Sequence, residues 1–150
     1  MKRLFCVLLA LLLLAGCAGS AVEINVIDAI TKLHDGLVFD DIMSDMDTAA
    51  ITRVFALTES EVVSAAGYIS TGATAEEIFV IEAVEGKTQA VLDAIDDHLD
   101  YMISGYSSYG PEEVPKLQAA VVETHGNYIF FCVCKDTAQA KTLISQIVEN

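Results

Sequence analysis

Apolar positions recur at helical spacing in four parts of the chain. They predict helices at 26–35, just after Asp47, at 87–104 and after Asp136. Asn25, Asp47 and Asp136 stand at N-cap positions, where a short polar side chain can accept a hydrogen bond from a first-turn amide. Gly36 and Gly105 follow the first and third apolar patterns, so we expect those two helices to end there.

Four other segments have the composition and alternation of β-strands. They lie at 62–70, 76–84, 119–125 and 128–134. The turn-rich residues 71–75 join the first two strands, and Gly126-Asn127 suits a two-residue type II′ turn between the last two. The expected fold is α+β: a four-stranded antiparallel sheet from two β-hairpins, each followed by a helix (ββαββα), preceded by two N-terminal helices. Because each long helix must bury its apolar stripe, we expect both on one face of the sheet and the N-terminal helices at an edge or end.

The N-terminus has the layout of a bacterial export signal. Lys2 and Arg3 precede an apolar run at 4–14, which is too short to cross a bilayer, since a transmembrane helix needs about 20 apolar residues. The run ends in Leu14-Ala15-Gly16-Cys17, which resembles the lipobox of bacterial lipoproteins. In such proteins the cysteine receives a diacylglyceryl group, and the chain is cleaved in front of it. The alternative is an ordinary secretory signal with a chance cysteine.

The lipobox divides the chain into three predicted parts. Residues 1–16 form a lipoprotein signal peptide, 17–22 a lipid-anchored tether and 23–150 a single α+β domain. Cys17 is the expected lipid attachment, and its two acyl chains would make anchoring effectively permanent. We therefore expect the protein on the extracytoplasmic face of the bacterial cell membrane, with the membrane itself as a partner.

Charge excludes one class of function. Loss of Lys2 and Arg3 with the signal leaves six of the eight basic residues against 22 acidic ones, a formal charge of −16. Nucleic-acid binding needs clusters of Lys and Arg that neutralise phosphates, and none is present, so no nucleic-acid partner is expected. An acidic surface attracts cationic partners or divalent ions, although solubility alone also explains it.

Several short motifs occur in the order found in one protein family. They are Thr74-Ala75-Glu76-Glu77-Ile78, Tyr109-Gly110-Pro111-Glu112-Glu113, Lys116-Leu117, Ala120-Val121-Val122 and Gly126-Asn127-Tyr128. Together with the lipobox, they make the chain resemble the DUF4358 family of uncharacterised lipoproteins, which is found mainly in Firmicutes. The resemblance covers most of the exported domain. It implies localisation and fold, but it supplies no catalytic residues and therefore no mechanism.

The sequence predicts no catalytic residue. The candidate bases are His34, His98 and His125. Residues 105–110 resemble a nucleophile elbow but contain one residue too many and follow a helix instead of opening one. Acidic residues flank His98 on its helix, so we expect it at the surface as part of the charge balance.

No metal site or cofactor is predicted either. Cys132 and Cys134 would lie on the same face of a strand, but no further ligands converge in the sequence, and buried unpaired cysteines usually serve packing. The densest acidic cluster consists of Asp40, Asp41, Asp45 and Asp47. Its spacing lacks the glycine and the terminal glutamate of an EF-hand, so a solvated loop or a helix cap is expected.

One segment is a candidate binding surface: Tyr106, Tyr109, Pro111 and Glu112. Tyrosines are common in recognition surfaces, although they also cover helix ends. The sequence favours a cell-envelope lipoprotein that acts as a noncatalytic binding or accessory module and recognises an envelope protein or polymer near the membrane. Two alternatives stay open: an envelope hydrolase or transferase whose site is assembled only in the fold, and an extracytoplasmic metal-binding protein.

Overall fold

The computed structural model describes residues 23–149. In chain order the elements are α1 Val26–Gly36, β1 Ser44–Met46, α2 Thr48–Val54, β2 Val62–Ile69, β3 Glu77–Ala83, α3 Thr88–Tyr109, a 3-10 turn Pro111–Glu113, α4 Val114–Gln118, β4 Val121–His125, β5 Tyr128–Val133 and α5 Thr137–Val148. None of these helices is both long enough and apolar enough to cross a membrane. The predicted signal peptide, Cys17 and the whole tether lie outside the described residues.

The strands form one antiparallel sheet in the order β1-β2-β3-β5-β4. The β2–β3 and β4–β5 pairs are hairpins, and β3 pairs with β5 at the centre. Gly126 has a φ of +62°, and the φ of Asn127 is not positive. A type II′ turn requires this combination at its two central residues.

The expectation of four strands is wrong, because β1 adds a fifth at the edge of the sheet. Its residues Ser44–Met46 pair with Gly67, Tyr68 and Ile69 of β2. Ser44 and Asp45 are exposed, so the strand has no alternating apolar pattern that the sequence could reveal. β1 also separates the two N-terminal helices, which were expected to follow one another directly.

The placement of both long helices on one face is also wrong. Helix α3 covers one face of the sheet together with α2 and α4, whereas α5 covers the opposite face together with α1. The reason is visible in β3, where Ile78 and Val80 face the α1/α5 side while Phe79 and Ile81 face the α3 side. Because both faces of the central strands are apolar, each needs its own helical cover.

Three helices begin at the expected caps. The side chain of Asn25 accepts from the Ile27 amide at 2.9 Å, that of Asp47 from Ala50 at 2.8 Å and that of Asp136 from Gln139 at 2.9 Å. The end of α3 differs from expectation, because the helix passes through Gly105 and continues to Tyr109. Because of this extension Tyr106 belongs to the helix, and its side chain is buried in the core between α3 and the sheet.

Helix α2 ends in a Schellman motif, which fixes the direction of the chain after it. The Leu57 amide donates to the Thr52 carbonyl at 2.8 Å, and the Ala56 amide donates to Arg53 at 3.3 Å. Ala56 has a φ of +51°, a left-handed conformation in which glycine is usual because it has no Cβ.

At the N-terminal end of α2, the Thr48 hydroxyl forms hydrogen bonds with both the amide and the carbonyl of Ala65, at 2.9 Å each. These bonds hold α2 on β2.

Candidate functional site

Two adjacent glutamates stand at the start of β3, and both are completely buried. Glutamate is almost never fully buried unless it is paired, so each needs a physical explanation. The Ser70 amide donates to the Glu76 carbonyl at 3.0 Å, which extends the β2–β3 pairing to this residue. The side chains of Glu76 and Glu77 have separate sets of partners.

Glu76 is surrounded by hydrogen-bond donors from two loops. Its Oε2 accepts from the backbone amides of Asp40 at 2.8 Å and Asp41 at 3.3 Å, and from the Thr74 hydroxyl at 3.2 Å. Its Oε1 makes no hydrogen bond and instead lies 3.3 Å from Lys116 Nζ, an ion-pair contact without hydrogen-bond alignment. The buried charge is therefore compensated from both sides.

Lys116 on α4 completes this arrangement. Its Nζ lies 3.0 Å from Glu113 and 3.9 Å from Asp40, in addition to Glu76. Burial alone would lower the pKa of the ammonium, but hydrogen bonding and the charges of Glu113 and Glu76 outweigh it and hold the pKa above its ordinary value. Glu113 also accepts from the Ala75 amide at 2.8 Å. We call Asp40, Glu76, Glu113 and Lys116 the loop hub, because they join the α1–β1, β2–β3 and α3–α4 connections.

Glu77 pairs with a histidine of the long helix. Its Oε1 lies 2.8 Å from His98 Nε2, and its Oε2 has no hydrogen-bond partner within residues 23–149. The His98 side chain is only 9% exposed, and its ring meets Phe55 edge-on with centroids 4.8 Å apart. The expectation that His98 balances charge at the surface is wrong, because α3 turns this residue toward β3. Each nitrogen of a neutral imidazole is either a donor or an acceptor, so the direction of this hydrogen bond depends on the tautomer of His98.

A cleft of about 460 Å³ opens above His98, between α2 and α3. We call it the α2–α3 cleft; its lining consists of Val54, Phe55, Ala56, Leu57, Glu61, Ala90, Asp93, Ala94, Asp97, His98 and Tyr101. It combines apolar and aromatic walls with three carboxylates. Its lining contains no Lys, Arg, Ser, Thr or Cys.

A larger cleft of about 650 Å³ lies on the α1/α5 side of the sheet, around Glu82, His125 and Tyr128. Glu82 is already engaged there, since it accepts from the Ser64 hydroxyl at 2.8 Å. The rim includes Glu23, the first residue that the structure describes. We take the α2–α3 cleft as the candidate site, because it lies over the His98 ring that contacts the buried Glu77.

The four residues of the expected binding surface do not lie together in a loop. Tyr106 is 2% exposed, and its hydroxyl donates to the carbonyls of Gly72, at 3.2 Å, and Thr74. Burial raises the pKa of this hydroxyl. The other three residues are exposed at the end of α3 and in the turn that follows: Tyr109, Pro111 and Glu112. They remain a candidate binding surface.

The other residues considered from the sequence have structural partners. The free cysteines Cys132 and Cys134 are both buried, and burial raises the pKa of the Cys134 thiol to about 11. Asp41 accepts from Thr71, and Asp47 caps α2. His34 stacks on Tyr68 and Phe39, and His125 lies 3.7 Å from Glu123. Across residues 23–149, no group of three or more His, Cys, Asp or Glu is arranged to hold a metal ion.

Comparison with known proteins places these features in a family. The profile of the family described as "Domain of unknown function (DUF4358)" matches residues 39–134, nearly two thirds of the chain. The chain belongs to the DUF4358 family. No curated protein and no solved structure matches it. The DUF4358 match contains the whole loop hub, the Glu77–His98 pair and the α2–α3 cleft, whereas α1 and α5 lie outside it.

Sequence reasoning did not assign a role to Glu76, Glu77 or Lys116, although these residues belong to the motifs that identified DUF4358. The available signal was two consecutive acidic residues at the entrance of an otherwise apolar strand, followed by a rare lysine in an acidic chain. Such a pattern indicates buried charge that needs a partner. It does not reveal which backbone amides supply that partner.

The loop hub generates a stability prediction. Lys116→Met should lower the free energy of unfolding by about 3 kcal/mol, because it leaves the Glu76 carboxylate buried without its counter-ion. In a Glu76→Gln background the same substitution should cost at least about 1 kcal/mol less, since the residues act as a pair. Urea denaturation of the single and double variants measures this coupling.

Lys135→Met is the matched control for this substitution. Lys135 also lies within 4 Å of Asp40, at 3.6 Å, but its side chain is 72% exposed. Its loss should therefore cost less than about 1 kcal/mol. Equal effects of the two lysine substitutions, or purely additive effects in the double variant, would contradict the assignment of Lys116 as the counter-ion of Glu76.

Proposed function

We propose that this DUF4358 protein is a noncatalytic binding or accessory lipoprotein of the bacterial cell envelope, of the kind found in Firmicutes. Cys17 in Leu14-Ala15-Gly16-Cys17 carries the diacylglyceryl anchor. The tether residues 18–22 span at most about 18 Å, so the domain acts close to the extracytoplasmic face of the membrane. Its partner is an envelope protein or polymer.

The α2–α3 cleft is the observation that carries the binding role. It is concave and combines aromatic and apolar walls with a few polar groups, as ligand sites usually do. Nucleophilic catalysis by a hydroxyl or thiol of Ser, Thr or Cys needs that residue beside a base, and the lining contains none of the three. The cleft therefore favours recognition over that type of covalent catalysis.

One observation favours a second candidate, an envelope hydrolase or transferase. The Glu77–His98 contact of 2.8 Å orients an imidazole at the base of a cleft, which is the arrangement of a general base held by a carboxylate. In that role His98 would activate water and Glu77 would be the positioning residue. The metal-binding alternative has no comparable support among the described residues.

The anchor is tested by Cys17→Ser. We expect the wild-type protein to incorporate radiolabelled palmitate and to sediment with membranes, because two acyl chains hold it there. The variant should incorporate none and should accumulate as an unprocessed precursor or be released from the membrane. Leu14→Ile, which keeps the cysteine, is the control. Labelling that persists in Cys17→Ser would exclude this residue as the attachment site.

Binding is tested by photo-crosslinking in the native bacterium. A crosslinker placed at position 101, on the rim of the α2–α3 cleft, should capture one dominant envelope component. Position 109 is the matched control, since Tyr109 is an exposed tyrosine of the same helix outside the cleft. Capture from position 109 alone would move the interaction to the surface of Tyr109, Pro111 and Glu112. The absence of capture from either position would count against a binding module.

A further inference from the structure

The first described residue lies at one end of the sheet. Glu23 lines the same cleft as His125, Gly126 and Asn127, so the chain enters the domain beside the β4–β5 turn. The Ala83 amide donates to the Asn127 carbonyl at 2.8 Å, which places the end of β3 at the same turn. We call this part of the domain the tether end, because the predicted tether joins the domain at Glu23.

The loop hub lies at the opposite end of the same strands, which we call the hub end. β3 begins at Glu77, directly after Glu76 of the loop hub, and ends at Ala83 of the tether end. Its seven residues extend about 20 Å, since a strand rises by ~3.3 Å per residue. Tyr109 and Glu112 are exposed at the hub end, where Glu112 precedes Glu113 of the loop hub.

Both ends of the domain carry exposed carboxylates. At the tether end these belong to Glu23, to Glu85 after β3 and to Glu149 after Val148, which lines the Glu23 cleft. At the hub end Asp40 and Glu112 are exposed, whereas Lys116 is already paired and its side chain is only 12% exposed. The domain has 22 acidic and six basic residues, so an anionic membrane surface repels it.

Repulsion combined with a short tether gives the domain a direction. Residues 18–22 span at most about 18 Å, so the tether end stays within that distance of the bilayer. Charge repulsion acts over roughly a Debye length, about 8 Å at physiological ionic strength, and it moves every other part of the domain outward. The hub end, about 20 Å farther along the strands, is then the part that lies farthest from the lipid headgroups.

We propose that the tether end faces the membrane and that the hub end faces away from it, because repulsion by anionic lipids extends the tether. The α2–α3 cleft then runs along the side of the domain. Glu61 lies at the tether end of the cleft, since its carbonyl accepts from the Val84 amide at 2.9 Å, whereas His98 lies beside Glu77 toward the hub end. A partner can therefore reach the cleft without entering the bilayer. This inference rests on the lipid anchor of the proposed function.

Energy transfer to a labelled bilayer tests this orientation. The full lipidated chain is placed in nanodiscs that contain phosphatidylglycerol and a lipid with an acceptor dye on its headgroup. A donor dye is attached through an unnatural amino acid at position 85 or 112, which are both exposed glutamates and therefore form a matched pair. Transfer should be at least about twofold more efficient from position 85, which lies about 20 Å closer to the lipid. Equal transfer, or more efficient transfer from position 112, overturns the orientation.

Salt and lipid charge test repulsion as the cause. The measured quantity is the ratio of the transfer efficiency at position 85 to that at position 112. At 1 M salt the Debye length is about 3 Å, so the ratio in phosphatidylglycerol nanodiscs should fall to the value found in uncharged phosphatidylcholine nanodiscs. A ratio that is the same in anionic and uncharged nanodiscs at low salt contradicts repulsion as the cause of the orientation.

Cys17→Ser separates the orientation from the anchor on which it rests. This variant should abolish transfer from both positions, because the acidic domain has no attraction of its own for the bilayer. If transfer from the wild-type protein is efficient and equal at the two positions, the anchor stands and only the orientation is wrong. If the wild-type protein shows no transfer from either position, or if Cys17→Ser retains it, the anchor proposal fails together with the orientation.

Discussion

The structure depends on supplying partners to the Glu76 carboxyl group, which is completely buried. A buried charge costs several kcal/mol unless donors and a counter-ion replace the lost water. No single element can supply them here. The amides come from the α1–β1 connection, the hydroxyl from the β2–β3 loop and the ammonium from α4. Satisfying this one group therefore requires two connections and helix α4 to assemble at the same end of the sheet.

That requirement positions the candidate site. Glu76 fixes the entrance of β3, and the next residue, Glu77, then points to the α3 face. There it holds His98, which lies against Phe55 of the α2 C-terminus and forms the base of the α2–α3 cleft. Tyr106, farther along α3, donates to the carbonyls of Gly72 and Thr74. The β2–β3 loop is thus held both by the loop hub and by α3.

The elements that could be predicted correctly from the sequence are those that depend on local signals. A cap or a tight turn depends on residues that are neighbours in the chain, so Asn25, Asp136 and Gly126 identified their elements correctly. β1 was missed because its pairing with β2 comes from the partner strand and not from an apolar pattern of its own. The apolar residues on both faces of β5 indicated that the outer face is also covered, but they do not show which helix covers it, and both long helices were assigned to one face.

The candidate site was less visible, because its partners are far apart in sequence. The amide of Asp40 is 36 residues from Glu76, and Glu77 is 21 residues from His98. Backbone amides carry no sequence signature, so the donors to Glu76 could not be predicted. His98 was expected at the surface because aspartates flank it in the sequence, although its side chain faces β3. By contrast, the motifs that suggested DUF4358 contain Glu76, Glu77, Glu113 and Lys116. The loop hub gives those motifs a physical reason to occur together.

Hydrogen exchange of the Asp40 amide tests the central role of Glu76 most directly. Asp40 lies in an exposed connection, where an amide ordinarily exchanges fast, yet here it donates to a buried carboxylate at 2.8 Å. It should exchange at least about a hundredfold more slowly than the amide of Val38 in the same connection, and Glu76→Gln should remove much of that difference. Equal exchange at Asp40 and Val38 in the wild-type protein would contradict the account.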